Sequence, residues 1–296
     1  MKKTTASRIM LISSMAIFGT IGLFVRGISV SSGELALYRA ILATIMIGAF
    51  LLITRQKIPF SKIKKEIILL FISGIAMGVN WILLFESYKK TTVSVATLSY
   101  YFAPVIVMIV CPILFKEKLT YKKLICFIMS TVGIILITGI GNVGGDDLVG
   151  IFLALGAASF YAMVIILNKF IKNVEGIHRT FLQFVAAIIT LLPYVLLTGG
   201  FTLGTLNTNG WLALLTVGII HTGIAYCLYF SSLKEISGQE TAILSYIDPL
   251  VAVLMSVTIL GEKMTPWQIV GGVLILGFTL WNEISFKKKK SSKEEI

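Results

Sequence analysis

Charge is scarce in this sequence. Of 296 residues, 14% are Asp, Glu, Lys or Arg, and mean hydropathy is +0.92. A soluble domain usually carries about a quarter charged residues, so an integral membrane protein is expected. Cysteine is sparse as well: Cys111, Cys126 and Cys227 lie scattered in apolar runs without C-x-x-C or Cys/His spacing. Neither a disulfide framework nor a zinc site is expected from such a pattern. The three read as small buried residues in helices. The two histidines, His178 and His221, are far apart, and there is no H-E-x-x-H motif or phosphate-cradling Gly-rich loop. Metal-assisted and nucleotide-dependent chemistry therefore has no visible machinery, and no cofactor or metal is expected. The short alternating segments of a β-barrel are missing too.

What is present is a series of apolar runs, each long enough to cross a hydrocarbon layer of about 30 Å as a helix. Ten spans are expected, near 8–28, 33–54, 66–88, 92–114, 119–139, 147–168, 178–198, 209–232, 239–260 and 266–285. The loops carry breakers such as "SVSSGE", "GNVGGDD" and "TGGFTLGTLNTNG". The opening "MKKTTASRIMLISSMAIFGTIGLF" has the basic start of a secretory signal. Its apolar run is long and no small-x-small site follows, so it reads as an uncleaved first span. No loop is long enough to fold alone.

The net charge of +12 is distributed as orientation determinants rather than as a nucleic-acid face. With a cytoplasmic N-terminus, inner segments hold Lys2, Lys3, Arg8, Arg55, Lys57, Lys62, Lys64, Lys65, Lys116, Lys118, Lys122, Lys123, Lys169, Lys172, Arg179, Lys234 and the basic tail 286–296. Outer segments hold only Arg26, Lys89, Lys90 and Lys263. Both termini are thus expected in the cytoplasm, in a multi-pass protein of the cytoplasmic membrane whose surroundings are a lipid bilayer and not nucleic acid. Trp211, Trp267 and Trp281 fall near interfaces and read as anchors.

The chain repeats itself. "YFAPVIVMIVCPILFKEKLT" (101–120) and "YIDPLVAVLMSVTILGEKMT" (246–265) share Tyr, Pro and Glu-Lys-x-Thr at equal places, at an offset of 145. At that offset Gly78 also falls on Gly223, Phe85 on Phe230 and Ser87 on Ser232, while Phe18 meets Tyr161 and Arg26 meets Lys169 at a slightly different one. An ungapped series through three spans marks an internal repeat. The expected units are 8–139 and 147–285. Five spans each is an odd number, so the second copy stands upside down relative to the first. Inverted repeats are a signature of carriers whose site lies at the repeat interface near the midplane.

With "SYYFAPVIVMIVCPILFKEKLT", "LSYIDPLVAVLMSVTILGEKMT" and the preceding "NWILLFESYKKTTVSVATL", nearly the whole chain resembles two tandem repeats of the EamA branch of the drug/metabolite transporter superfamily. The resemblance implies a ten-helix carrier that uses no ATP, many relatives exporting amino acids or other metabolites. It also implies a central cavity framed by the first four helices of each repeat, the fifth being peripheral. Many relatives have Trp where this chain has Phe18.

Within that frame the residue types divide by what the bilayer charges for them. Thr120 and Thr265 stand where a hydroxyl caps the fifth helix of each repeat, so Glu117, Thr120, Glu262 and Thr265 read as structural turns. Pro104 and Pro249, inside the fourth and ninth spans, read as paired hinges or as static kinks. Charges inside spans are costly and therefore informative. Asp248 has Ala103 as its counterpart, His221 has Ala76 and Arg39 has Leu182. Arg39 and Asp248 are expected on the cavity, with a structural ion pair as the competing reading. Glu86, Asp248 and His221 are the candidates for proton coupling; Glu86 could instead reach headgroups, and His221 could be an ordinary hydrogen-bonding residue. Glu34 reads as a helix N-terminal charge. Asn80, Trp81, Tyr101, Tyr226 and Tyr246 complete a mixed aromatic and polar lining, with ordinary helix packing as the competing reading.

The expectation is a secondary carrier that moves a small molecule, an amino acid or related metabolite, by alternating access, with export favoured. A carrier of nucleotide-linked or lipid-linked sugars is the alternative, weakened because a phosphate-bearing ligand wants several cations and only Arg39 is on offer. A membrane enzyme ranks below both.

Overall fold

The computed structural model describes residues 2–56, 58, 63–64, 66–116, 120–139, 145–174, 176–233 and 235–284. The basic tail and Glu117 lie outside them. The described residues form helices and short turns, with no strand among them. In chain order the long helices are α1 (Lys2–Gly19 and Ile21–Val25), α2 (Ser32–Ile53), α3 (Ile67–Lys90), α4 (Val93–Tyr100 and Ala103–Phe115) and α5 (Tyr121–Gly139). They continue with α6 (Gly145–Phe170), α7 (Gly176–Thr198), α8 (Thr208–Ser232), α9 (Gly238–Leu244 and Ile247–Thr258) and α10 (Pro266–Glu283). Among the described residues, nine are long and apolar enough to cross a membrane; α10 has 18 residues, but Gln268, Asn282 and Glu283 at its ends lower its hydropathy.

The capping residues set the starts. Ser31 accepts from Glu34 N, Thr92 from Val95 N, Asn207 from Gly210 N and Ser237 from Glu240 N. Thr92 and Ser237 are repeat equivalents, each opening the broken helix of its half. Thr120 accepts from Lys123 N, and Thr265 forms a full capping box with Gln268. Each cap satisfies a backbone donor that the first helical turn leaves unpaired.

Pro104 and Pro249 coincide with interruptions of α4 and α9. In α4 the helix stops at Tyr101 and Phe102, and in α9 at Ser245 and Tyr246; each proline sits in the first turn of the segment that follows. The residues at each break keep near-helical backbone angles, so the two halves continue one span with a kink, as a missing proline N–H produces. Two further irregularities have no counterpart in the other half. α1 is interrupted at Thr20, and α8 runs as a π-helix over Thr216–Ile224.

Packing follows small residues. A Cβ on Gly133 of α5 would lie 2.7 Å from the backbone oxygen of Gly271 in α10, so these two peripheral helices touch backbone to backbone. Gly19 and Gly22 let α1 press on Asp248 O of α9 and on Val93 of α4. The largest apolar cluster joins α2, α3 and α7 through residues such as Leu37, Ile47, Phe85 and Phe184. Gln183 ties this region by donating to Ser73 and Asn168; beside a separate small cluster of Ile63, Leu70, Ile171 and Val174, Glu66 accepts from the backbone of Lys172 and Asn173. Glu34, expected as a helix-start charge, is fully buried and accepts from both the N–H and the hydroxyl of Thr202, fixing the α7–α8 connection.

Candidate functional site

The helix breaks converge on a cavity of about 430 Å³. α3 contributes Asn80 and Trp81, α2 Arg39, the break of α4 Tyr101, α8 Tyr226, and the break of α9 Tyr246 and Asp248. All seven residues expected on a lining from sequence reach this one space. The lining extends from buried Tyr88 and Thr97 to Glu283, the last residue of α10. Glu283 lies on the face where α1 begins: Arg8 of α1 pairs there with Glu240, at the start of α9.

Arg39 is only 5% exposed. Its Nε donates to Thr222 Oγ1 at 2.8 Å, and its guanidinium stacks 4.6 Å from the Trp81 ring centre and 5.6 Å from that of Phe85. No carboxylate among the described residues comes within ion-pairing distance of it. Stacking on two rings stabilises a desolvated guanidinium without neutralising it. Asp248 is half-buried and accepts from the Tyr101 hydroxyl at 2.7 Å. Arg39 and Asp248 therefore share the cavity without pairing. Ala103, the repeat counterpart of Asp248, lines the same space, as does Pro104.

The surrounding wall is aromatic. Tyr101 faces Tyr246 at 6.4 Å between ring centres, Tyr100 stacks on Tyr161 at 5.5 Å, and Phe18 and Phe184 meet Tyr226 edge-on. Asn80 donates to Ala157 O at 2.6 Å and reaches the Tyr100 hydroxyl at 3.4 Å. Tyr88, Tyr100, Tyr161 and Tyr229 were not singled out in the sequence, although Tyr161 is the repeat partner of Phe18 and both line the cavity.

Two expected proton-coupling residues lie elsewhere. Glu86 accepts from the Ser32 hydroxyl at 2.6 Å and pairs with Lys89 at 3.5 Å, at the end of α3. His221 is buried in the π-helical turn of α8, 2.8 Å from the Thr20 hydroxyl and 3.2 Å from Thr216 O, with Phe24 beside its ring. Among the described residues no His/Cys/Asp/Glu group could hold a metal ion.

A broken-helix bundle around a central polar and aromatic cavity defines a membrane carrier fold. The model of the EamA-like transporter family matches residues 6–139 and again 148–282, and the chain belongs to that family, within the drug/metabolite transporter superfamily. It is 33% identical over 277 residues to the uncharacterized transporter YxxF of Bacillus subtilis (strain 168), covering 93% of this chain and 88% of that one. An uncharacterized transporter of Clostridium kluyveri is 26% identical over 278 residues, covering 88% of each. A solved crystal structure superposes with a TM-score of 0.65 over 92% of this chain and 95% of its own, at 16% identity, which speaks for the fold alone. By kinship the protein is a multi-pass membrane transporter, and each family match spans five of the ten long helices described above.

Proposed function

We propose that the chain is a secondary carrier, built of the repeats 8–139 and 147–285, that moves an amino acid or related zwitterion across the cytoplasmic membrane by alternating access, with export favoured. One observation carries this reading: a single cavity presents a cation, Arg39, and a carboxylate, Asp248, that do not neutralise each other. A buried guanidinium without a counter-ion gains most from a ligand carboxylate, which it can grip through two parallel hydrogen bonds. A carboxylate with a single hydroxyl donor retains acceptor sites for an ammonium group. The tyrosines and Trp81 offer apolar faces with polar tips to the rest of the ligand. Asp248 is also the carboxylate placed to exchange a proton for substrate. Arg39 is the sole cation of the described lining, which argues against phosphate-bearing sugars.

Export is favoured by the resemblance to relatives that export metabolites. The cavity lining reaches half-buried Glu283 at the end of α10, on the face that the distribution of Lys and Arg predicts to be cytoplasmic. The test is flux of radiolabelled amino acids from proteoliposomes, with sugar nucleotides as competitors. Asp248→Asn and Arg39→Ala are each expected to cut flux at least tenfold. Normal flux in both variants, or competition by sugar nucleotides alone, would remove this assignment.

A further inference from the structure

At the end of the bundle away from Glu283 lies a small ionic knot. Arg26, at the end of α1, meets Glu262 in the α9–α10 turn at 2.6 Å, an ion pair without aligned hydrogen-bond geometry. Glu262 also accepts from Val93 N, the first residue of α4, at 2.9 Å, and from the Ser256 hydroxyl, which itself accepts from Ser94 at 2.6 Å. Arg26 donates to Tyr88 O at 3.1 Å and Thr91 O at 2.6 Å, carbonyls at the end of α3. Arg26 is thus anchored within its own half of the chain. Glu262 reaches across from the other half and joins α1, α4 and the α9–α10 turn.

We infer that Arg26 and Glu262 form the releasable lock of this end of the carrier, so that the Glu in the second Glu-Lys-x-Thr motif works as a gate and not only as a turn residue. Three features make the contact releasable. The Arg26 side chain is 34% exposed while that of Glu262 is 6% exposed, so water reaches one partner and can replace it. A knot of charge-assisted bonds can be exchanged for water when the halves part, whereas an interdigitated apolar seam has no such substitute. α1 is already interrupted at Thr20, six residues before Arg26, and its last segment, Ile21–Val25, is short enough to move as a unit. Gly19 and Gly22, on either side of that break, are where α1 presses on α9 and α4. Parting the ion pair would release α1 from α9 and open a path to the floor of the cavity at Tyr88 and Thr97. The lock rests on the alternating-access reading, but its test needs no substrate. A failure to find a transported compound therefore leaves the result readable.

Val25 reports the opening. It is 1% exposed, adjoins Arg26, packs in the apolar cluster that holds Val93, and does not line the cavity. Val25→Cys is placed in a background where Cys111, Cys126 and Cys227 are changed to Ala, and its reaction with a maleimide is timed on purified protein in detergent. A retained cooperative thermal transition serves as the check on folding. Adding Arg26→Gln or Glu262→Gln is expected to raise the labelling rate about tenfold. Combining both should react no faster than the faster single variant, because one contact is lost only once. Should Glu262→Gln not fold, Glu262→Asp keeps the charge, falls short of Arg26, and is expected to raise the rate in the same direction. Unchanged rates in the folded single variants, or rates that multiply in the double variant, would overturn the lock.

Discussion

The Arg39 guanidinium owes its orientation to a hydroxyl. Thr222 is fully buried, accepts from Arg39 Nε and donates to Val217 O, five residues back, as the π-helical register of α8 allows. Removing that acceptor leaves a buried charged donor without its partner and frees the side chain to turn. Thr222→Val is therefore expected to raise the half-saturation concentration for a transported amino acid about five- to tenfold with little change in maximal rate, and Thr222→Ser to restore it. Concentration-dependent flux in proteoliposomes checks both. The lining itself was largely legible in the sequence, because Arg, Asp, Asn and Trp deep in a span have few stable places other than a protein-lined space. What sequence does not show at this scale is which helix supplies a residue's partners. Glu86 and His221 have the same chemistry as cavity groups but are satisfied by Ser32 and Lys89, and by Thr20 and Thr216. Tyr88 and Tyr229 lie toward helix ends, where a tyrosine in sequence resembles an interface anchor.

At the scale of elements, helix positions follow from hydropathy and caps, and irregularities do not. The expected spans agree with the observed helices to within about three residues at most ends, since Ser31, Thr92, Asn207, Ser237 and Thr265 mark starts that local chemistry alone determines. The interruption at Tyr101 and Phe102 carries no local signal beyond the proline that follows it, and the π-helix over Thr216–Ile224 carries none. These depend on distant partners: Asp248 for Tyr101, Thr20 for His221, Arg39 for Thr222. The peripheral helices behave more simply. α5 contributes no residue to the cavity lining and meets α10 through Gly133 and Gly271. Gly133→Ala places a methyl 2.7 Å from a backbone oxygen that no rotamer change can clear. Overpacking of this kind costs about 1–3 kcal/mol. The expected outcome is a lower midpoint of thermal unfolding for the purified protein, with flux per folded molecule retained; loss of flux at unchanged stability would give α5 a direct part in transport.

For the whole molecule, the repeat supplies a frame and its departures supply direction. Tyr101 and Tyr246 keep the frame, meeting across the cavity from equivalent helix breaks. Asp248 departs from it, with Ala103 in the same lining. The cavity lining departs from it as well, reaching Glu283 at one end, while Arg26 and Glu262 pair beyond the other. Which compartment each end faces depends on orientation alone. Asp146 is exposed at the start of α6, on the face of Arg26 and Glu262, where it pairs with Lys90. Arg8 lies near the start of α1, on the face that carries Glu283. Lys and Arg concentrate in the segments of the face that carries Glu283, which the positive-inside rule predicts to be cytoplasmic. With the natural cysteines replaced, Asp146→Cys is expected to react with a membrane-impermeant maleimide in intact cells. Arg8→Cys is expected to react only after the membrane is permeabilised. That outcome fixes the orientation, with Arg26 and Glu262 toward the outside and Glu283 toward the cytoplasm. The reverse labelling pattern would invert the molecule in the membrane and place Arg26 and Glu262 at its cytoplasmic end.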